Sequence, residues 1–321
     1  MRLFPVGLGA WQFGSREWGY GSTYASEVAP RIVERSLDLG VQVVDTAEIY
    51  GFGRSERIVG RAVARRRDEA FLSTKLFPVL PADPVVGRRA RGSLRRLGTD
   101  HVDLYQVHWP NPVVPARLVA DALARLLDAG LTRHVGVSNY PLARWQELER
   151  LLGRPVLTNQ VRYSLADRAP ERELLPWAQA NGRVILAYSP LAQGLLSGRY
   201  GPDHRPSGLR ARTSTFQPGN LEQAADLLDV LREVAGAHRV KPAQIALAWL
   251  VRRPNVVVIP GASSVEQAEE NAASADIELS AAEDEALTAA SDAYRPVPSG
   301  LGARAAVVGR RLGRVLDGLR A

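Results

Sequence analysis

Cysteine is absent from all 321 residues, which excludes disulfide bonds and thiolate catalysis and leaves cysteine silent about compartment. No stretch reaches the roughly 18 continuous apolar residues that a membrane span requires. The first residues, Met1-Arg2-Leu3-Phe4-Pro5, carry no apolar signal segment, so a cytoplasmic, soluble protein is expected. No set of His, Asp and Glu has metal-ligand spacing, and no metal is assigned. Gly51-Phe-Gly53 lacks the third glycine and the strand–helix setting of a dinucleotide fingerprint. Lysine is almost missing: of 41 basic residues only Lys75 and Lys241 are lysines. Lys241 precedes Pro242 at a helix start, an ordinary exposed place. Lys75 closes the strand-like run Ala70-Phe-Leu-Ser-Thr-Lys75, where a compact ammonium with a movable proton is wanted.

What is present suits a large core, since 45% of the residues are apolar. The formal charge of +7 could serve an anionic partner, but the basic residues are mixed with acids and no nucleic-acid module stands out. Arg65-Arg66-Arg67 and Arg88-Arg89 read as solvated helix faces.

Short β-branched runs recur at Val6–Gly9, Val41–Asp45, Phe71–Lys75, Val102–Val107, Val135–Ser138, Val156–Gln160, Val184–Tyr188 and Val256–Pro260. Amphipathic stretches lie between them, as in Leu118-Val119 with Leu123, Leu126 and Leu127. Gly40, Gly130 and Gly182 precede strands, where a helix favours a left-handed end. Eight alternations imply a (β/α)8 TIM barrel, with a doubly wound sheet as the weaker alternative. A single domain over 1–321 is expected, with 295–321 as a tail.

The ends of these strands carry polar residues in succession: Asp45, Lys75, His108, Ser138-Asn139, Gln160 and Tyr188-Ser189. In a closed barrel they converge on one mouth. Asp45-Thr-Ala-x-x-Tyr50-Gly51, Ser73-Thr-Lys75, Val107-His108-Trp109-Pro110, Gly136-Val-Ser-Asn139, Asn159-Gln160, Ala187-Tyr-Ser-Pro-Leu191, Ile259-Pro-Gly-Ala262 and Glu270-Asn271 together resemble the aldo-keto reductase family, from Val6 to about Asn271. Leu191-Ala-Gln-Gly-Leu-Leu-Ser-Gly198 is similar to the bacterial and potassium-channel β-subunit branch.

The resemblance implies a nicotinamide cofactor across the mouth and a catalytic tetrad of Asp45, Tyr50, Lys75 and His108. Carbonyl reduction needs a proton for the oxygen, and tyrosine, titrating near 10, is by itself a weak donor at neutral pH. An ammonium at Lys75, anchored by Asp45, is expected to lower that pKa, and His108 to orient the substrate oxygen. The resemblance further places the carboxamide near Ser138, Asn139 and Gln160, with Tyr188 stacked on the ring. Ser189, Leu191 and Gln193 would meet the pyrophosphate, and Glu270 and Asn271 the adenine. Ser263 could bond an adenosine phosphate, whereas Gly261 and Gln267 stand where NADP-preferring members often carry cations. NADP remains favoured, with NAD as the other option.

Trp11, Phe13, Trp18 and Trp109 are expected around the substrate, Trp11 also reaching the cofactor. Residues 198–220, long and rich in Gly, Pro and Arg, read as a lid or mobile segment. Val308, Leu312, Val315, Leu316 and Leu319 form an apolar stripe that would pack on the barrel or on a second copy. The expected activity is reduction of an aldehyde or ketone; the alternative is a cofactor-binding regulatory subunit with little turnover. The partners expected are a small carbonyl compound and a homo-oligomer, not nucleic acid or membrane.

Overall fold

A strand covered on both faces must hide two rows of side chains, and the short apolar runs of this chain do so by strict alternation. The structure, a computed structural model, describes residues 3–15, 20–201, 204–208 and 210–297. Trp18 and the stripe from Val308 to Leu319 lie outside the described residues.

Eight parallel strands follow one another in chain order: β1 (Leu8–Gly9), β2 (Val43–Asp45), β3 (Phe71–Leu76), β4 (Val102–Val107), β5 (Thr132–Ser138), β6 (Val156–Arg162), β7 (Val184–Tyr188) and β8 (Val256–Val258). A bridge from Val6 to Val258 joins the last strand to the first. Gly7 N donates to Val258 O at 2.7 Å and Val258 N donates to Pro5 O at 3.0 Å. The sheet therefore closes as a (β/α)8 barrel.

The helices are α1 (Ala29–Asp38), α2 (Arg54–Val63), α3 (Val85–Leu97), α4 (Ala116–Asp128), α5 (Leu142–Leu152), α6 (Leu174–Ala180), α7 (Pro218–Gln223), α8 (Ala225–His238), α9 (Pro242–Val251), α10 (Val265–Ala273) and α11 (Ala281–Ala293). Gly40 and Gly130 adopt the left-handed φ values of 78° and 66° expected where a helix hands over to a strand.

Each expected strand is present, with shifted ends. β5 starts at Thr132 rather than Val135, because Thr132 and His134 pair with Val102 and Leu104 of β4 and Arg133, which reads as loop, is tied to Asp103 at 2.8 Å. β2 and β8 are shorter than their apolar runs. The stretch after β7 is not a structureless connection. It holds short 3-10 turns at Ala192–Ser197, Arg210–Arg212 and Ser214–Phe216, and Tyr200 and Phe216 are buried against each other, their ring centres 5.3 Å apart.

Alternation sorts the strand residues into two populations. Val44, Leu72, Tyr105, Val107, Val135, Ile185 and Val258 face outward into the shell packed under the helices. Val43, Phe71, Leu104, Leu186, Val257 and Ile259 point inward and plug the lower half of the barrel. Two residues further along β2, β3 and β4 the inward positions turn polar, as Asp45, Ser73 and Gln106, and β6, after a register shift against β5, adds Thr158 and Gln160 to the same buried layer. The site stands on this change of layer.

Two helical glycines test how tightly the outer shell is packed. A Cβ on Gly60 of α2 would lie 2.2 Å from the carbonyl oxygen of Leu97, whereas one on Gly236 of α8 meets nothing within 4 Å. Gly60→Ala should destabilise the fold by about 1–3 kcal/mol through overpacking. Gly236→Ala should stabilise it by up to about 1 kcal/mol through helix propensity. Urea unfolding of the two variants should show opposite signs; equal signs would contradict the packing.

Candidate active site

Lys75 is fully buried near the carboxyl end of β3. Its Nζ donates to Asp45 Oδ2 at 2.5 Å, to Thr46 O at 2.8 Å and to Tyr50 Oη at 3.2 Å. The ammonium thus spends its three protons on a carboxylate, a carbonyl and a phenol. Asp45 uses its other oxygen equally fully: Oδ1 accepts from Ser73 Oγ at 2.8 Å and from Gln160 Nε2 at 2.9 Å, with Gln106 Nε2 at 3.4 Å. Thr158 Oγ1 in turn donates to Gln106 Oε1 at 3.0 Å. A Cβ on Gly136 would lie 2.1 Å from that hydroxyl oxygen, so glycine on β5 makes room for the network. The chain therefore brings Asp45, Lys75 and Tyr50 together, with the His108 ring centre 5.8 Å from that of Tyr50.

Tyr50 stands on a turn that few sequences could adopt. Gly51, Phe52 and Gly53 are all left-handed, with φ values of 54°, 54° and 78°. A Cβ on Gly51 would crowd Gly14 O at 2.9 Å and one on Gly53 would crowd Arg96 Cδ at 2.5 Å, so glycine is required at both. Two acids clamp the turn, Glu56 fully buried and Glu48 partly so. Glu48 accepts from Phe77 N at 2.6 Å and pairs with Arg89 at 2.8 Å. Glu56 accepts from Thr74 Oγ1 at 2.7 Å and from Arg96 Nε at 2.6 Å. Arg89 is therefore not a solvated helix residue, and neither is Arg67, which holds the buried Asp103 at 2.8 Å. By sequence, Glu48, Glu56 and Gln106 receive no site role, and Ser73 stands only within the run Ser73-Thr-Lys75. Ser73 and Gln106 carried a usable signal, each lying two residues before a strand-end candidate on the same strand face.

The electrostatics follow from burial. Burial raises the Tyr50 pKa above its ordinary value of 10; the Lys75 charge pulls it down and the Asp45 charge pushes it up, and burial prevails. The expectation of a net lowering by Lys75 is corrected accordingly: the ammonium acts in the expected direction but is outweighed. For Lys75 itself, burial works to lower the pKa, yet Asp45 and Tyr50 together raise it above the usual lysine value, so it stays an ammonium. Burial, with the Lys75 charge behind it, pushes His108 down to about 3, so its ring is neutral at ordinary pH. His108 Nδ1 is buried with no partner among the described residues, and the ring stacks on Trp109 at 3.9 Å.

The remaining mouth residues fall into two groups. Beside His108, Asn139 donates to Ser138 Oγ at 3.0 Å and to His108 O at 3.3 Å, and accepts from Tyr188 Oη at 2.9 Å; Ser138 donates to Gln160 O at 2.8 Å. Beyond β7, Ser189, Ala192 and Gln193 have φ values of 50°, 47° and 59°, a concentration of backbone strain in one loop that also carries Leu191. Gln193 Oε1 is buried there without a partner among the described residues. Ser189 and Gln193 line a cavity of about 660 Å3 whose other walls include Arg162, Asp167 and Arg295. Across the mouth, Ser264 caps α10, and Gln267 Oε1 accepts from Ser263 N at 2.9 Å and from Ser263 Oγ at 2.8 Å. Asn271 donates to Gly261 O at 3.4 Å, and Glu270 pairs with Lys241.

Trp11, Ile49, Phe52 and Trp109 present exposed apolar surface on the loops beyond β1, β2 and β4. Phe13 does not join them. It is fully buried in the core beside Tyr24, with the ring centres 6.2 Å apart, which removes it from the expected substrate wall.

The Lys75–Asp45 pair makes a stability prediction. Lys75→Met leaves the buried Asp45 carboxylate uncompensated and should cost about 3–5 kcal/mol. Adding Asp45→Asn should recover part of that loss in the double variant. Urea midpoints measure both; additive losses would mean that the two groups do not act as a pair.

The profile of the Aldo/keto reductase family matches residues 5–292. An uncharacterised oxidoreductase of Mycobacterium tuberculosis is 52% identical over 295 residues, covering 92% of this chain and 91% of the relative. The methylglyoxal reductase YeaE of Escherichia coli is 36% identical over 299 residues, covering 93% of each. Among solved structures, an aldo/keto reductase from Klebsiella pneumoniae in complex with NADP and acetate is 32% identical with a TM-score of 0.73, covering 92% of this chain and 93% of that one. The chain belongs to the aldo/keto reductase family.

Proposed function

We propose that this protein reduces an aldehyde or ketone to the alcohol with a nicotinamide cofactor, NADPH by preference. The observation that carries the reading is the Lys75 ammonium shared between Asp45 and the Tyr50 phenol at the mouth of the barrel. The donor sets suit such a cofactor. Ser138, Asn139 and Gln160 offer the hydroxyl and amides that match a carboxamide, which both donates and accepts. Tyr188 supplies a ring face, and Trp11 lies across the mouth. The strained loop with Ser189, Leu191 and Gln193 suits a pyrophosphate, and Gly261, Ser263, Gln267, Glu270 and Asn271 suit the adenosine end. A reduced nicotinamide bound there supplies hydride to the carbonyl carbon.

The protein's part is to supply the proton and hold the oxygen. Tyr50 donates its O–H proton to the carbonyl oxygen as negative charge grows on it. The phenolate left behind lies 3.2 Å from the Lys75 ammonium, which stabilises it until solvent returns a proton. Asp45 keeps that ammonium charged and aimed. His108, neutral because it is buried, offers an N–H to the same oxygen without adding a charge. Trp109, stacked on His108, and Trp11 give the substrate body an apolar wall. The E. coli relative named a methylglyoxal reductase makes small 2-oxoaldehydes a natural part of the substrate panel.

The test follows cofactor absorbance with NADPH and NADH over aromatic, aliphatic and 2-oxoaldehyde substrates. Tyr50→Phe should lower kcat by about 10²–10⁴-fold while leaving cofactor binding intact. Equal rates in both proteins would refute the role given to Tyr50; tight cofactor binding without turnover would favour a cofactor-sensing subunit.

The pH profile is a separate test. The His108 pKa is depressed to about 3, so the ring remains neutral until the medium is strongly acidic, and the Tyr50 pKa is raised, so the phenol keeps its proton into the alkaline range. The reduction rate should therefore be flat from about pH 5 up to the ordinary tyrosine value of about 10 and fall only above it. A break near the ordinary histidine pKa would overturn the neutral His108.

A further inference from the structure

Only two lysines occur in this arginine-rich chain, and by sequence the second is an ordinary exposed residue. The fold gives it a defined place. Lys241 immediately precedes α9, where its backbone N donates to Gln244 Oε1 at 3.1 Å, and its Nζ reaches across to α10 to pair with Glu270. Its neighbour Pro242 packs against Gly198, at the end of the strained loop beyond β7: a Cβ on Gly198 would lie 2.9 Å from Pro242 Cγ. Lys241 therefore stands between the loop suited to a pyrophosphate and the helix suited to an adenosine.

The residues suited to the adenosine end carry no cation of their own, and the neighbouring Arg35 of α1 is taken up by Glu269 at 2.7 Å. Gly261 carries no side chain, Gln267 caps Ser263, and Glu270 adds a carboxylate on the face of α10 one turn beyond Gln267. Alone, that carboxylate would suit ribose hydroxyls and would repel a phosphate dianion. The Lys241 ammonium cancels it. The side chain is 65% exposed, so it is free to exchange a carboxylate partner for a phosphate.

We propose that Lys241 determines the choice between NADPH and NADH, its ammonium leaving Glu270 to meet the 2′-phosphate of the adenosine. The inference rests on the cofactor reading given above. A lysine suits the role because a single mobile ammonium can serve either partner without the fixed fork geometry of arginine.

The experiment measures binding to the full chain by tryptophan fluorescence and calorimetry, using NADPH, NADH, 2′,5′-ADP and 5′-AMP. Lys241→Met should raise the Kd for NADPH and for 2′,5′-ADP about tenfold, the loss of one charge-assisted contact, while NADH and 5′-AMP change by less than about twofold. Lys241→Arg should restore most of the NADPH affinity, and the salt dependence of NADPH binding should weaken in Lys241→Met. Equal shifts for both cofactors, or no shift, would overturn the role of Lys241 while leaving the cofactor reading intact. Failure of the wild-type chain to bind either dinucleotide would overturn both.

Discussion

A buried ammonium on a buried carboxylate is the constraint around which this barrel is arranged. Taking both charges out of water is costly, and their attraction offsets the cost only when every remaining proton and lone pair is satisfied. That requirement explains the polar layer. Ser73 and Gln160 bond the second oxygen of Asp45, Gln106 backs them, and Thr158 holds Gln106. These donors come from β3, β6 and β4, so strands distant in sequence are bound to one register. A slip of one residue in β3 would turn Lys75 into the helix shell and Thr74 or Leu76 into the barrel.

The pair also explains why the turn after β2 is built under strain. Tyr50 must meet an ammonium fixed at the end of β3, so its loop has to bend sharply back over the barrel mouth. Three successive left-handed residues achieve the bend, and Phe52, exposed at 93%, is a bulky residue in a region of φ that disfavours it. Such a turn persists only if its surroundings fix it. Glu48 bound to the Phe77 backbone and Glu56 bound to Arg96 supply that restraint from outside the barrel. The outer pairs position the phenol; the inner pair gives it a charged neighbour.

This division decides what the sequence could reveal. Strands buried on both faces announce themselves as β-branched runs, and Lys75 stood out because nearly every other cation is arginine. The polar inward residues were partly legible, since period-two spacing from Lys75 and His108 leads to Ser73 and Gln106. The outer clamps were not. Arg89 and Arg96 lie among many arginines on one helix, and nothing local distinguishes the ones that turn inward to a glutamate. Phe13 failed for a related reason: a loop aromatic does not declare whether it faces the mouth or the core. The start of β5 was hidden because Arg133 is polar by type yet satisfied by Asp103 within the fold.

The two ends of the mouth differ in how firmly they are determined. At the Tyr50 end the Lys75 ammonium and the Asp45 carboxylate are each held by several partners, and removing either leaves the other charge buried and unpaired, so this pair admits little variation. At the α10 end the contacts are exposed and exchangeable: Gln267 folds back on Ser263, and Glu270 shares its charge with a mobile lysine. Exposed pairs of this kind contribute little to stability, on the order of 1 kcal/mol or less. Their residues can therefore change without endangering the barrel. On the proposed reading, the core fixes the groups around Tyr50, while the end suited to an adenosine is lined by side chains on which the core does not depend.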